Sequence, residues 1–128
     1  MPVDEPVRVL VWRYGGALLA VPIDAVLEVA AVTATAARSR HGELDLVEVR
    51  GLRPEVESPR RAIVLRTGGG VVAIPADVVE GVVEAERGRV GPAPRWLAGV
   101  EARHVKALVR VDPDRTAALL DVEAVGAP

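Results

Sequence analysis

The chain has 128 residues, half of them hydrophobic, with a formal net charge of −2 and a pI near 5.7. That length suits one domain or two very small halves sharing a core, and the slightly acidic balance argues against a nucleic-acid module, which would carry a basic patch against phosphate. The absence of cysteine excludes a disulfide framework, a thiolate nucleophile and a cysteine-based zinc site.

The opening "MPVDEPVRV" has acids where a signal peptide has bases, and no apolar run is long enough to cross a bilayer, so a cytoplasmic protein is expected. Residues 7–13 alternate apolar with charged or larger side chains, Gly15 and Gly16 interrupt, and an apolar run resumes at Ala17. This pattern predicts a β-hairpin whose glycines permit a positive φ at the turn. Pro22 cannot donate to a central ladder, so the second strand ends near it, and Asp24 suits the first turn of a short helix. Residues 30–42, "AAVTATAARSRHG", are small and polar and read as a loop; residues 44–50 read as a further strand. "GLRPEVESPRR", with Pro54 and Pro59, is a junction.

Beyond the junction the first pattern returns. A shift of 53 positions sets Val11 on Val64, Arg13 on Arg66, Gly15 and Gly16 on Gly68 and Gly69, Ala20 on Ala73, Pro22 on Pro75, Asp24 on Asp77 and Val26 on Val79. The chain therefore contains one unit twice, and a glycine pair at the same place in both copies is a fold requirement before it is a site. This also disposes of a phosphate loop at Gly68–Gly70, since no Lys-Ser or Lys-Thr follows. Asp77, like Asp24, is expected to open a helical turn. "RGRVGPAPRWLAG" reads as a proline-broken loop, and residues 104–111 and 115–122 form a hairpin across "DPD". Residues 119–122 mirror residues 46–49, so each half offers several short strands and about one helical turn, which points to β-barrels.

Chemistry is harder to find. His41, Glu43 and Asp45 would share one face of a strand, as metal ligands could, yet alternating charge is also the ordinary pattern of an exposed strand face. Ser39 and Ser58 have no plausible triad around them, and no carboxylate pair stands out for acid–base work. Arg38, Arg40, Arg60 and Arg61 lie among acids and read as solvated loop residues. Trp12 is expected to pack in the core or at a barrel end; Trp96 is either a structural plug or an exposed anchor.

The order of features resembles the CheW family of chemotaxis coupling proteins. It runs from a strand and glycine turn through "LLAVPIDAVLEV", a "VEVR" strand, "AIVLRTGGGVVAIPADVVEGVVEAE", a proline loop and "WLAGV" to "LVRVDPDRTAALLDVEAV", covering roughly residues 7–125. The resemblance implies an all-β fold of two SH3-like five-stranded barrels packed side by side, one over about residues 7–58 and one over about 59–125, with room for strand exchange at the ends. It also implies a non-catalytic adaptor without a cofactor. Such an adaptor binds the regulatory domain of a CheA-like histidine kinase through a barrel face and a chemoreceptor's cytoplasmic tip in the groove between barrels.

Carried over by position, Val26 and Glu28 in "AVLEV" fall at the family's contact positions, and Glu48 in "LVEVR" stands where the family usually has Asp. The family's longer loop ending in an "NLRG"-like signature is shortened: Arg40 and Gly42 are the nearest equivalents, separated by His41, with no Asn before them. Kinase binding is therefore expected to be stronger than receptor binding. An alternative reading is a small-ligand-binding or sensory barrel, for which the sequence shows few convergent polar or aromatic groups.

Overall fold

The computed structural model describes residues 7–33, 36–47, 61–87 and 105–125. Ten strands account for nearly all of them: Val7–Tyr14 (β1), Ala17–Pro22 (β2), Val26–Thr33 (β3), Ala36–Ser39 (β4), Gly42–Asp45 (β5), Arg61–Thr67 (β6), Gly70–Ala76 (β7), Val78–Arg87 (β8), Val105–Asp112 (β9) and Arg115–Leu120 (β10). A single 3-10 turn, Ile23–Ala25, joins β2 to β3, and a one-turn helix, Val122–Val125 (α1), follows β10. Glu48 and Trp96 lie outside the described residues.

The all-β class expected from sequence is the one observed, in two five-stranded units. One is a closed barrel in the order β1-β2-β10-β9-β8; the other is a five-stranded sheet in the order β5-β4-β3-β6-β7. Each unit takes strands from both copies of the repeat. The hairpin β1–β2 pairs with β8 and β10 of the second copy, while the hairpin β6–β7 joins β3 of the first. The exchange is reciprocal, so residue 58 separates the copies in sequence but does not separate the two sheets in space.

The duplication is visible down to single hydrogen-bonded partners. In the barrel, Leu119 lies parallel to Ala20; in the sheet, Leu46 makes a parallel bridge to Ala73, the residue 53 positions beyond Ala20. That bridge, with a bond from Val47 N–H to Ala73 O of 2.8 Å, brings the two edges of the sheet together. The β1–β8 and β3–β6 ladders also slip at equivalent places, between Val11 and Trp12 against β8 and between Val26 and Glu28 against β6. Such bulges bend a strand and raise its twist, as a small barrel requires.

Alternation along the strands sorts the apolar side chains into three layers. Val9, Val11, Ala20, Ala85, Val109, Ala117 and Leu119 fill the barrel. The sheet's own concave side is lined by small residues, namely Ala30, Ala37, Ala62, Val64 and Ala73. Between the two units lies the largest cluster, which includes Trp12, Tyr14, Leu19, Val21, Ile63, Leu65, Ile74 and Leu120. Trp12 is thus a core residue, fully buried. Both faces of β1 and β6 are covered, which explains why their sequences read as near-continuous apolar runs.

Three local expectations are corrected. Residues 30–42 are mostly strand, not loop: β3 runs to Thr33, and Ala37 of β4 is fully buried opposite Leu44. The strand expected to begin at residue 44 starts two residues earlier, as β5 from Gly42 to Asp45 with Leu46 bridged to Ala73 beyond it; residues 48–50 of that expectation lie outside the described residues. No helical turn follows Pro75, because Asp77 is spent elsewhere, as described below. The 3-10 turn after Pro22 does form with Asp24 in its first turn, but no side chain caps it.

Because Ile63 belongs to the layer that both units share, Ile63→Ala is expected to cost about 2–5 kcal/mol and to unfold barrel and sheet in one transition. Urea unfolding followed through the Val11 and Val64 amide signals checks this; two separated transitions would show that the units are independent.

Candidate functional site

Three of the residues singled out by sequence come together at one corner of the sheet. Glu28 on β3 accepts a hydrogen bond at Oε1 from the backbone N–H of Arg40, 2.7 Å away in the β4–β5 turn, and Gly42 closes that turn with a φ of 99°. The turn is stiffened from within. Ser39 Oγ donates to Gly42 O at 2.8 Å and accepts from His41 N–H at 3.0 Å. Val26 sits on the same strand, opposite Leu65 and packed against the shared apolar layer. One residue past Glu28, Val29 is 42% exposed; its equivalent in the second copy, Val82, is 46% exposed. This corner therefore offers an aliphatic edge beside a rigid, charged turn.

The same construction recurs at other turns. In β6–β7, Thr67 Oγ1 donates to Gly70 O at 3.0 Å and accepts from Gly69 N–H at 3.2 Å, while Gly68 N–H donates to both carboxylate oxygens of Glu123 at 2.7 Å. In β1–β2, Gly15 N–H donates to Asp77 Oδ2 at 2.9 Å, and Asp77 N–H donates to Arg13 O at 2.8 Å. In each case the first turn residue presents an N–H that the ladder does not use, and a distant carboxylate accepts it. The β9–β10 turn has Pro113 in that place, which has no N–H to satisfy, and Asp114 N–H bonds Asp112 Oδ1 at 2.9 Å.

Asp77 and Glu123 were not legible as clamps. Asp77 read as a helix-capping acid because its partner, Gly15, is 62 residues away on a strand pair that reaches it only through the exchange of hairpins. Glu123 carries no sequence signal for its contact with Gly68.

The described charges form one further cluster. Arg115 on β10 bonds Asp112 through Nε and Glu80 through Nη1 at 2.7 Å, tying β8 to the β9–β10 turn. The Arg115 side chain, then the N–H of Asp114, holds the Asp112 carboxyl below its ordinary 3.8, and Asp112, then Glu80, raises the Arg115 guanidinium. Beside them an open groove of about 410 Å³ is lined by Arg13, Gly16, Leu18, Asp114, Arg115 and Thr116. Its lining is polar and apolar in similar measure and it is open to solvent, unlike the mostly enclosed apolar pockets that hold small ligands.

Among the described residues no three of His, Asp and Glu are grouped as metal ligands. His41 lies in the turn preceding β5, so it does not share a strand face with Glu43 and Asp45. No helix among the described residues is long and apolar enough to cross a membrane.

Two five-stranded β units, duplicated in sequence and joined by a common apolar layer with no catalytic constellation among the described residues, define the architecture of a paired SH3-like β domain. The CheW-like domain family matches residues 44–127, more than half of the chain, and the protein belongs to that family. Val26, Glu28, Arg40 and Gly42 precede the matched span, whereas Glu48 falls within it. The fold is similar to the crystal structure of the scaffolding protein TtCheW from Thermoanaerobacter tengcongensis, with a TM-score of 0.75 over 96% of this chain and 89% of that one, at 15% identity. None of the curated proteins matches the sequence significantly.

Glu28→Ala is expected to release the Arg40 amide and speed its hydrogen exchange about tenfold, while Glu28→Gln, which keeps an acceptor, stays near the parent rate. Amide exchange by NMR reads both. Asp112 has a depressed folded-state pKa, so the stability it contributes is present above its unfolded value and is lost as pH falls through the folded one. Asp112→Asn is therefore expected to flatten the acid limb of the stability–pH curve slightly, since the pair is exposed. Denaturant titrations between pH 2 and 6, on the order of one point per unit, test the sign.

Proposed function

We propose that this protein is a non-catalytic scaffold of chemotaxis-like signalling, coupling the regulatory domain of a CheA-like histidine kinase to a chemoreceptor tip or to another CheW-like domain. The observation that carries this reading is the convergence of Glu28, Arg40 and Gly42 at one turn beside Val26, on a fold of the CheW family. Of the positions that the resemblance singles out, Glu28, Arg40 and Gly42 lie together at one turn, and Val26, two residues from Glu28 across a bulge, turns toward the shared apolar layer; this proximity supports the reading. The mechanism is geometric: a shared apolar layer holds two docking surfaces at a fixed spacing, so a change at one partner is felt by the other. Exposed aliphatic positions such as Val29 supply contact area, and the charged rim supplies selectivity. Each contact is weak alone and gains strength in an array.

The shortened segment before β5 supports a difference between partners. It ends in the tight two-residue turn Arg40–His41, which leaves little material to wall a receptor groove. The kinase domain is therefore the stronger partner in this reading.

A pulldown with the kinase regulatory domain is expected to retain the protein at micromolar concentration, and absence of binding would sink the scaffold reading. Glu28→Lys is expected to weaken capture about tenfold, equivalent to about 1.4 kcal/mol, with circular dichroism unchanged. Calorimetric titration separates lost contact from lost fold, and unchanged affinity would remove Glu28 from the surface.

A further inference from the structure

Arg13 and Arg66 are equivalent positions of the repeat. Both are exposed, and among the described residues neither guanidinium has an acidic partner. Arg13 has the richer surroundings. It stands directly opposite Val78 on β8 and Leu18 on β2, so the three side chains share one face of the barrel wall. Two residues back along β1, Val11 belongs to the barrel core, and Leu18 packs against that same core. The row Val78, Arg13, Leu18 therefore lies across the mouth of the barrel. Val78 is 52% exposed, the most of any large apolar side chain among the described residues, and Leu18 is half-buried.

The charges at this mouth are unevenly matched. Arg115, on the lining of the open groove, is already held by Asp112 and Glu80. Asp114, the one acid on that lining, forms no ion pair with Arg13. The unanswered donor of the groove is thus the Arg13 fork, whose planar N–H groups match a carboxylate in two-point geometry. Capping the barrel end would need only the aliphatic stem of that arginine. It gives no reason for the largest exposed apolar side chain to stand beside the charge.

We propose that the barrel mouth at Arg13 docks an extended segment of a partner protein that carries one carboxylate side chain between two aliphatic ones. The carboxylate pairs with Arg13, and the aliphatic groups cover Val78 and Leu18. A groove of about 410 Å³ that is open to solvent suits a segment laid across it better than an enclosed molecule. The site belongs to the barrel, whereas the Glu28 corner belongs to the sheet, and it needs no part of the scaffold reading.

NMR titration of the full chain with the peptide Ac-Leu-Ser-Glu-Ser-Leu-NH2 tests the proposal. Saturable shifts are expected at the Arg13, Leu18, Val78 and Thr116 amides, with a Kd on the order of 1 mM. Replacing the peptide's Glu by Gln, or Arg13→Gln in the protein, should weaken binding about threefold to fivefold, the range of an exposed ion pair. Arg66→Gln makes the same change of charge on the other unit and should alter affinity less than about twofold. Asp114→Asn removes a like charge from the lining and should tighten binding about twofold. Absence of saturable shifts at the mouth up to about ten times that Kd, or equal losses from Arg13→Gln and Arg66→Gln, would overturn the site. Tighter binding of the Glu-to-Lys peptide, or weaker binding after Asp114→Asn, would overturn the acidic character of the occupant.

Discussion

The structure depends on one apolar layer that neither five-stranded unit owns. The sheet's own concave side is lined mainly by alanines, and the barrel's interior by valines, alanines and a leucine. Most of the bulky side chains, Trp12, Tyr14, Ile63, Leu65, Ile74 and Leu120 among them, face the other unit instead. At about 1.5–3 kcal/mol for each large side chain removed from water, the seam outweighs what either interior can contribute. Units this small bury too little surface to stand alone, and duplication supplies the missing half of each core. The reciprocal exchange of hairpins serves the same end, because the links within each copy, β2 to β3 and β7 to β8, pass from one unit to the other and tie the sheets covalently as well as by packing.

Tight turns leave one amide without a ladder partner, and this chain deals with that donor in two ways. Among the described hairpin turns, three have a remote carboxylate that accepts it, and at the fourth, β9–β10, a proline removes it. The carboxylates also act as long-range restraints, since Gly15 with Asp77 and Gly68 with Glu123 join residues 62 and 55 positions apart. At the fourth turn the proline leaves Asp112 available to Arg115, which links that turn to Glu80 on β8. A scaffold needs surfaces whose shape does not drift, and turn restraints of this kind supply it at modest cost.

The parts of the fold that could be read from the sequence were those whose signal is local. Glycine pairs bounded by valine-rich runs marked β1–β2 and β6–β7, "DPD" marked β9–β10, and the 53-residue shift announced the duplication. Residues 30–42 misled because alanine and serine have little strand propensity; Ala37 is in a strand because it is small enough for the crowded side it faces, a tertiary reason. Asp77 misled for a related reason: a short-range rule assigned it to the nearest free amides, while the folded chain offers it a distant one. The meeting of Glu28 with Arg40 was half legible, since both positions were picked out but nothing in their spacing set them at hydrogen-bond distance.

The crossed pairing has a bearing on how the polypeptide is made. Strand β1 finds its neighbour β8 only after Val78–Arg87 has emerged, and the barrel closes only when β10 is complete. At ribosomal speeds the first hairpin, apolar on both sides, waits on the order of ten seconds for its cover. The nascent chain thus carries a sticky ribbon until β8 and β10 have been made, and a fold with so many non-local pairings closes slowly once released. That interval is when an unwanted neighbour, any other chain with an open strand edge, has its best opportunity to take the empty place.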